Sequence, residues 1–237
     1  MRCTMIFKDE RACSYLKGEI CTTHYQICDL SASEYSALLE RGWRRFGKFF
    51  FTNNCQDCSA CKNLRIDIQR FVFTRSFKRV LRNASAISTV IRRPIITDEH
   101  LALFELYHEE RAATRGWERD TDNDRYSYSQ TFLEGSEEFG FEFAYYLNNR
   151  LLGVALVDML PIGLSAVYCY YDPNYSHLSI GTFSILKQIQ YSIERGLPHL
   201  YLGFWIKDNQ SLQYKQRFKP YELLHGHPSV LETPHWR

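Results

Sequence analysis

Long apolar runs are absent. Nowhere in the 237 residues does an uninterrupted apolar stretch reach the roughly 18 residues a membrane-spanning helix requires. Metal-binding histidine spacing is absent too. The 8 His residues form neither H-x3-H nor H-E-x-x-H, so a catalytic zinc is not expected. No G-x-S-x-G turn is present, and a covalent acyl-enzyme has no support. Internal repeats and low-complexity segments are also missing. With 45% hydrophobic residues, 16 Tyr and 16 Phe, disorder is excluded as a dominant state. The start of the chain, Met1–Glu10, carries charge and lacks the apolar core of a signal peptide. A cytoplasmic address is therefore the expectation. A length of 237 residues accommodates two small domains.

What is present is unevenly placed. The net charge is only +2, yet residues 41–93 hold 13 Lys/Arg against two acids, a local balance of +11. Residues 94–160 hold 14 acids against five Arg, a balance of −9. The basic block reads either as a polyanion footprint or as a solvated surface. Aromatic residues are interleaved with it, among them Trp43, Phe46, Phe49, Phe50, Phe51, Phe71, Phe73 and Phe77. Rings alternating with arginines suit unpaired nucleotides, although rings more commonly fill cores. There are 8 Cys, and in a cytosolic setting reduced thiols are expected. The run Cys55-Gln-Asp-Cys58-Ser-Ala-Cys61, with Cys13 upstream, has a spacing that reaches one soft metal or an iron–sulfur cluster. Buried, unmetallated thiols are the alternative.

The pattern of elements points to a mixed α/β fold. Ser31-Ala-Ser-Glu34 is a capping box that opens a helix closed by Gly42. Lys48–Thr52 and Ile66–Phe73 read as strands, followed by a basic helix Arg75–Arg82 whose apolar face is Phe77, Val80 and Leu81. A strand Ser88–Ile96 precedes a helix capped by Thr97 and running to Arg115, and a second helix covers Tyr126–Gly135. Strands Phe141–Leu147 and Leu151–Met159 form a hairpin through Asn148-Asn149, with a third strand at Leu164–Tyr171. Leu178–Arg195 is a helix, His199–Phe204 a buried strand, Asp208–Arg217 a helix and Tyr221–Leu224 a last strand. Antiparallel hairpins followed by a β-α-β crossover make a mixed sheet with helices on its faces. The division is expected at residue 85, giving domains 1–85 and 86–237.

The start of the helix after Leu164–Tyr171 contains Gly181-Thr182. A glycine there either lets a phosphate approach the free N–H groups or simply caps the helix. The turn resembles the coenzyme A turn of GNAT N-acetyltransferases, Q/R-x-x-G-x-G/A, only in its central glycine. Leu178 and Phe183 depart from that pattern, and a bulky Phe183 is expected to crowd the approach.

Taken together, the motifs resemble the bacterial leucyl-tRNA–protein transferase family, relatives of the arginyl-tRNA–protein transferases. The resemblance rests on Cys13-Ser-Tyr-Leu16, Arg41-Gly-Trp-Arg-Arg-Phe-Gly47, Cys58-Ser-Ala-Cys61, Arg75-Ser-Phe-Lys-Arg-Val-Leu-Arg82, Tyr171-Asp-Pro173, Ile180-Gly-Thr182, Tyr201-Leu-Gly-Phe-Trp-Ile206, Tyr214-Lys215 and Phe218-Lys-Pro220. It implies a GNAT-like C-terminal acyltransferase domain behind a small basic N-terminal domain. It also implies transfer of leucine from leucyl-tRNA to the N-terminal amine of proteins beginning with Asp or Glu, marking them for N-degron degradation. Leu16 stands where the arginyl relatives carry the second Cys of a pair, which favours the leucyl branch and puts their cluster in doubt here. Transfer of arginine, an ordinary GNAT N-acyltransferase and an RNA-binding regulatory module are the alternatives.

Roles follow from the chemistry of ester aminolysis, which needs no cofactor. Tyr168, Asp172 and Lys215 are the catalytic candidates, as proton acceptor or oxyanion donors. Arg44, Arg45, Lys78, Arg79, Arg82, Gly181 and Thr182 are the expected tRNA contacts. Arg111 and Arg115, four apart on one helix face, either hold the acceptor's carboxylate or complement the helix dipole. Cys13, Cys55, Cys58 and Cys61 are the candidate metal ligands. Neither DNA nor a membrane is an expected partner.

Overall fold

A computed structural model describes residues 2–117, 124–207 and 209–237. Two sheets organise the chain. The first has four strands, β1 (Arg2–Ala12), β2 (Ile20–Asp29), β3 (Arg44–Phe46) and β4 (Phe49–Asn53), in the order β1-β2-β4-β3. Between β2 and β3 lies α1 (Ala32–Glu40), opened by the expected capping box: Ser31 accepts from Glu34 N–H and the Glu34 carboxylate accepts from Ser31 N–H. α1 covers one face of this sheet, with Tyr35 edge-on to Phe50 at 5.0 Å.

The chain then enters a larger sheet through β5 (Lys62–Asp67), four residues earlier than Ile66–Phe73 predicted. Ile66, Ile68 and Phe71 are all buried in the same core, so the apolar signal continued beyond the strand. α2 (Arg75–Asn83) and β6 (Ser88–Arg92) follow, then α3 (Asp98–Arg115) with Thr97 as its cap. The helix expected over Tyr126–Gly135 is a short α4 (Arg125–Tyr128) running into a wider π turn. β7 (Gly140–Leu147), β8 (Arg150–Leu160) and β9 (Gly163–Tyr171) form a meander. Its first turn is the expected Asn148-Asn149, both at positive φ, which matches the twist of the flanking strands. α5 (Ile180–Glu194) and β10 (His199–Trp205) complete the crossover. The cap expected at Asp208 lies outside the described residues, and the segment after it is a single 3-10 turn, Gln213–Arg217. β11 (Tyr221–His225) and β12 (His235–Trp236) end the chain.

The second sheet runs β12-β11-β5-β10-β9-β8-β7-β6. β5 and α2, on the N-terminal side of residue 85, are thus built into the larger sheet and its core. Helices cover both faces: α5 and α2 on one, α3 with the 125–133 segment on the other. That explains why β8 is apolar almost without interruption rather than alternating. Arg45 on β3 joins the sheets by a bidentate pair with Asp158 on β8, with Nε to Oδ2 at 2.9 Å. Among the described residues, no helix is long and apolar enough to cross a membrane.

Candidate functional site

β9 and β10 are parallel neighbours for only three residues each, from His199 opposite Gly163 to Tyr201 opposite Ser165. Both strands continue, to Tyr171 and Trp205, but no longer pair. Each carries an irregularity at the parting point. β9 bulges against β8 around Val167, and β10 bulges against β5 around Leu202. Bulges bend a strand away from its ladder and re-aim side chains, so the sheet opens into a cleft.

Two buried cations occupy that cleft. Arg44 reaches it from β3, donating to Ser165 Oγ at 3.1 Å and to the carbonyl of Ala166, both on β9. On the opposite wall Gly203 has φ +75°, and a Cβ there would lie 3.0 Å from Arg44 Nε. A glycine is needed at 203 both for its backbone and for the guanidinium beside it. Lys215 is 8% exposed and its Nζ donates to the carbonyl of Phe204 on β10. Burial, with Arg44 adding repulsion, pushes the Lys215 ammonium down to about 7. Among the described residues, neither cation has a carboxylate at ion-pair distance. Parting the strands orphans carbonyls, and these side chains satisfy two of them.

The other candidates surround the cleft. Tyr168 follows the β9 bulge and its hydroxyl lies 2.8 Å from His108 Nε2. His108 Nδ1 lies 2.8 Å from the Phe104 carbonyl and so carries a proton; in the neutral imidazole Nε2 is then the lone-pair nitrogen, to which Tyr168 donates. Burial raises the Tyr168 phenol well above its usual range and keeps it neutral. Asp172 is fully buried and both its oxygens are occupied. Arg150 donates to Oδ2 at 2.7 Å, and Asn174 donates to Oδ1 from its backbone at 3.0 Å and its amide at 2.9 Å. It caps the turn that leads into α5 and is held there by Arg150 and Asn174.

Arg111 and Arg115 share a face of α3 but not an environment. Arg111 lies over the Tyr107 ring and donates from Nη2 to the Tyr171 hydroxyl at 3.0 Å. Arg115 is exposed and lies 3.4 Å from Gln210 Oε1. Tyr171 also borders Gly181, where an added Cβ would lie 3.5 Å from its ring. Gly181 and Thr182 are in the first turn of α5, whose open N–H groups carry partial positive charge. Phe183, expected to crowd this turn, instead turns inward, 3% exposed and edge-on to Tyr145 at 5.5 Å. Its position in the first turn faces the sheet, not the entrance.

The expected nucleic-acid contacts divide. Lys78, Arg79 and Arg82 are exposed on α2, because Phe77 faces inward and stacks on Phe218 at 5.0 Å. Arg44 and Arg45 are buried, 8% and 4% exposed, and present no guanidinium on the outer surface. Two of the thiols accept hydrogen bonds: Thr22 N–H donates to Cys55, and the Asn53 amide donates to Cys61. Burial, with Cys13, Cys55 and Cys21 adding to it, pushes the Cys61 thiol up to about 11. Among the described residues, no group of three His, Cys, Asp or Glu is placed to hold a metal ion. Cys3 and Cys28, expected as reduced thiols, are opposite each other on β1 and β2 and form a disulfide. His108 and Ser165 carry no local motif, whereas Gly203 lies within Tyr201–Ile206, where a glycine inside an aromatic strand run is a bulge signal.

Residues 11–79 match the N-terminal region of the arginine-tRNA-protein transferase family, and residues 99–225 its C-terminal region. A protein of Helicobacter hepaticus described as an aspartate/glutamate leucyltransferase is 43% identical over 237 residues, covering 100% of this chain and 98% of its own. A Campylobacter jejuni protein of the same description is 36% identical, covering 94% of each. The crystal structure of FemX superposes with TM-score 0.53 at 10% identity, over 93% of this chain and 86% of that one. At that identity the likeness speaks for the fold alone, a mixed α/β fold.

Proposed function

The chain belongs to the arginine-tRNA-protein transferase family and is an aminoacyltransferase, and from that premise we infer that it moves leucine from leucyl-tRNA to the N-terminal amine of proteins beginning with Asp or Glu. The observation that carries the chemistry is the cleft between β9 and β10 with Lys215 and Arg44 inside it. The attacking amine forms a bond to the ester carbonyl carbon, and the bond from that carbon to the ribose oxygen breaks. The proton shed by the amine passes through Lys215 to the leaving ribose oxygen. An amine with a pKa near 7 suits both halves of that relay at neutral pH. Arg44 stabilises the oxyanion from a water-poor site. Tyr168, held by His108, orients the reacting groups. An N-terminal amine with a pKa near 7.7–8.0 is partly neutral in the cell and the ester is already activated, so no cofactor is required.

The first turn of α5, at Gly181 and Thr182, takes a phosphate near the tRNA terminus. Arg111, beside it, pairs with the acceptor's side-chain carboxylate, and the exposed arginines of α2 hold the tRNA body. Such a reaction places the protein in the cytoplasm, where charged tRNA and N-degron substrates meet.

The test is transfer of labelled leucine from leucyl-tRNA to peptides differing only in the first residue. Asp- and Glu-starting peptides should gain one leucine. Arg111→Gln should raise the KM for them about tenfold, the size of one charge-assisted hydrogen bond, and leave tRNA binding intact. Preferential transfer of arginine, or preference for a basic first residue, would replace this reading.

A further inference from the structure

One face of the first sheet is buried at Cys21, Thr23, Asn53 and Arg44 and, among the described residues, open around Met5, Phe7, Phe46 and Phe49. α1 packs against the side bearing Phe50, and strand alternation sends the odd-numbered residues of β2 and β4 to the other side. On that side the register aligns Phe7 with Tyr25, Tyr25 with Phe51, and Phe51 with Arg44. A single cross-strand row thus runs over all four strands. Phe7 and Tyr25 stack at 4.9 Å, Tyr25 and Phe51 lie 6.1 Å apart, and Phe51 is 6.3 Å from Phe204. Phe204 is the residue whose carbonyl holds Lys215, and Arg44 is the guanidinium in the cleft. A second row, Met5, Ile27, Phe49 and Phe46, lies alongside. Phe7 and Phe46 are each 37% exposed and Phe49 is 44% exposed, unusual for rings in a folded monomer.

We propose that this open face is a stacking platform for the unpaired 3′-terminal nucleotides of the donor tRNA, laid along the Phe7–Tyr25–Phe51 row with the aminoacyl end at Arg44. The proposal rests on the transferase reading above. Open four-stranded sheets with rings on their surface stack two or three unpaired bases, and any base has a face to offer. The row ends in cations that, among the described residues, have no carboxylate at ion-pair distance, which suits a strand whose backbone is anionic. A protein acceptor is constrained at its first residue and variable after it, so it offers no regular series of planar groups to match three successive rings. The platform would hold the strand while the cleft takes its end.

The experiment compares binding of two uncharged leucine-accepting tRNA transcripts to the full chain, one intact and one lacking the unpaired 3′ nucleotides. Phe7→Leu and Tyr25→Leu keep apolar bulk and remove the rings. Together they should weaken binding of the intact tRNA by about tenfold for each ring lost and leave the truncated tRNA unaffected. Tyr25→Phe should bind like the parent. In the unsubstituted protein, 5-iodocytidine in the 3′ end should crosslink to Phe7, Tyr25 or Phe51, a readout that needs no variant to fold. Equal weakening of both tRNAs, crosslinks confined to other segments, or an effect seen only in the KM for an Asp-starting peptide would overturn the platform. Leucine transfer measured alongside separates the two failures. A protein that transfers leucine but crosslinks elsewhere loses the platform. One that transfers none loses the functional reading, while the crosslinks still decide the platform.

Discussion

The two sheets solve the same problem in opposite ways. The eight-stranded sheet buries both faces, and its central strand β8 is buried almost throughout. The four-stranded sheet buries one face against α1 and leaves Met5, Phe7, Phe46 and Phe49 exposed on the other. Burial of apolar area is the main source of folding stability, so the first arrangement holds the fold. The second forgoes that stabilisation at those four residues, which is expected of a surface with a partner. The sheets meet at neighbouring residues of one strand. Arg45 ties β3 to Asp158, and Arg44 reaches into the cleft.

Substituting within the cleft should give the largest effect. Lys215→Arg retains a cation that cannot release its proton, and Lys215→Met removes the amine. Both should lower kcat for leucine transfer about 10²–10⁴-fold, the usual contribution of a positioned acid–base group. In the parent, kcat should rise as pH climbs through about 7, where Lys215 becomes neutral, and that inflection should vanish in the variants. Stability follows the same group. Between about 7 in the fold and 10.5 when unfolded, the unfolded chain binds the extra proton. Parent stability relative to Lys215→Met should therefore be lowest and flat below pH 7, and recover as pH rises toward 10.5. A pH-independent kcat would remove Lys215 from the proton path.

The seam between the sheets should respond next. Asp158→Asn strands the Arg45 guanidinium, whose side chain is 2% exposed, without a counter-charge. Removing one member of a buried pair costs on the order of 3–5 kcal/mol. Denaturant unfolding should show that loss. If the seam is the weak point, near-ultraviolet circular dichroism should also reveal the first sheet loosening before the second. A loss below about 1 kcal/mol, the range of surface pairs, would mean that water reaches Arg45.

The same contrast explains what could be read in advance. Local chemistry was legible: the Ser31–Glu34 box, the Thr97 cap and the Asn148-Asn149 turn each act within a few residues. The covered sheet was legible in β7 to β10, because strands buried on both faces are apolar runs. The β1–β2 hairpin was not, since its exposed and charged residues leave no alternation to detect. Arg45 looked like a surface cation because its partner, Asp158, lies on another sheet. Lys215 could be named from a motif. Its burial and the cleft around it depend on two bulges and on Arg44, all of them tertiary.

The smallest effect should come from the basic helix, and it separates the two kinds of nucleic-acid contact the sheets imply. Arg79 and Arg82 are exposed on α2, while the helix is anchored from beneath by Phe77 on Phe218, so reversing their charge should leave Tm unchanged. Each phosphate contact releases counterions and contributes about 0.7–0.9 to the slope of log affinity against log salt. The double change Arg79→Glu and Arg82→Glu should weaken tRNA binding at low salt and flatten that slope by about 1.5. The change should be the same for intact and truncated tRNA, because the duplex body carries those phosphates. Tyr25→Leu should do the reverse, weakening binding of intact tRNA alone with the slope nearly preserved, because stacking releases few ions. If reversing Arg79 and Arg82 leaves the slope unaltered, the tRNA body lies away from α2, and the local charge of +11 in residues 41–93 serves solvation and the buried pairs instead.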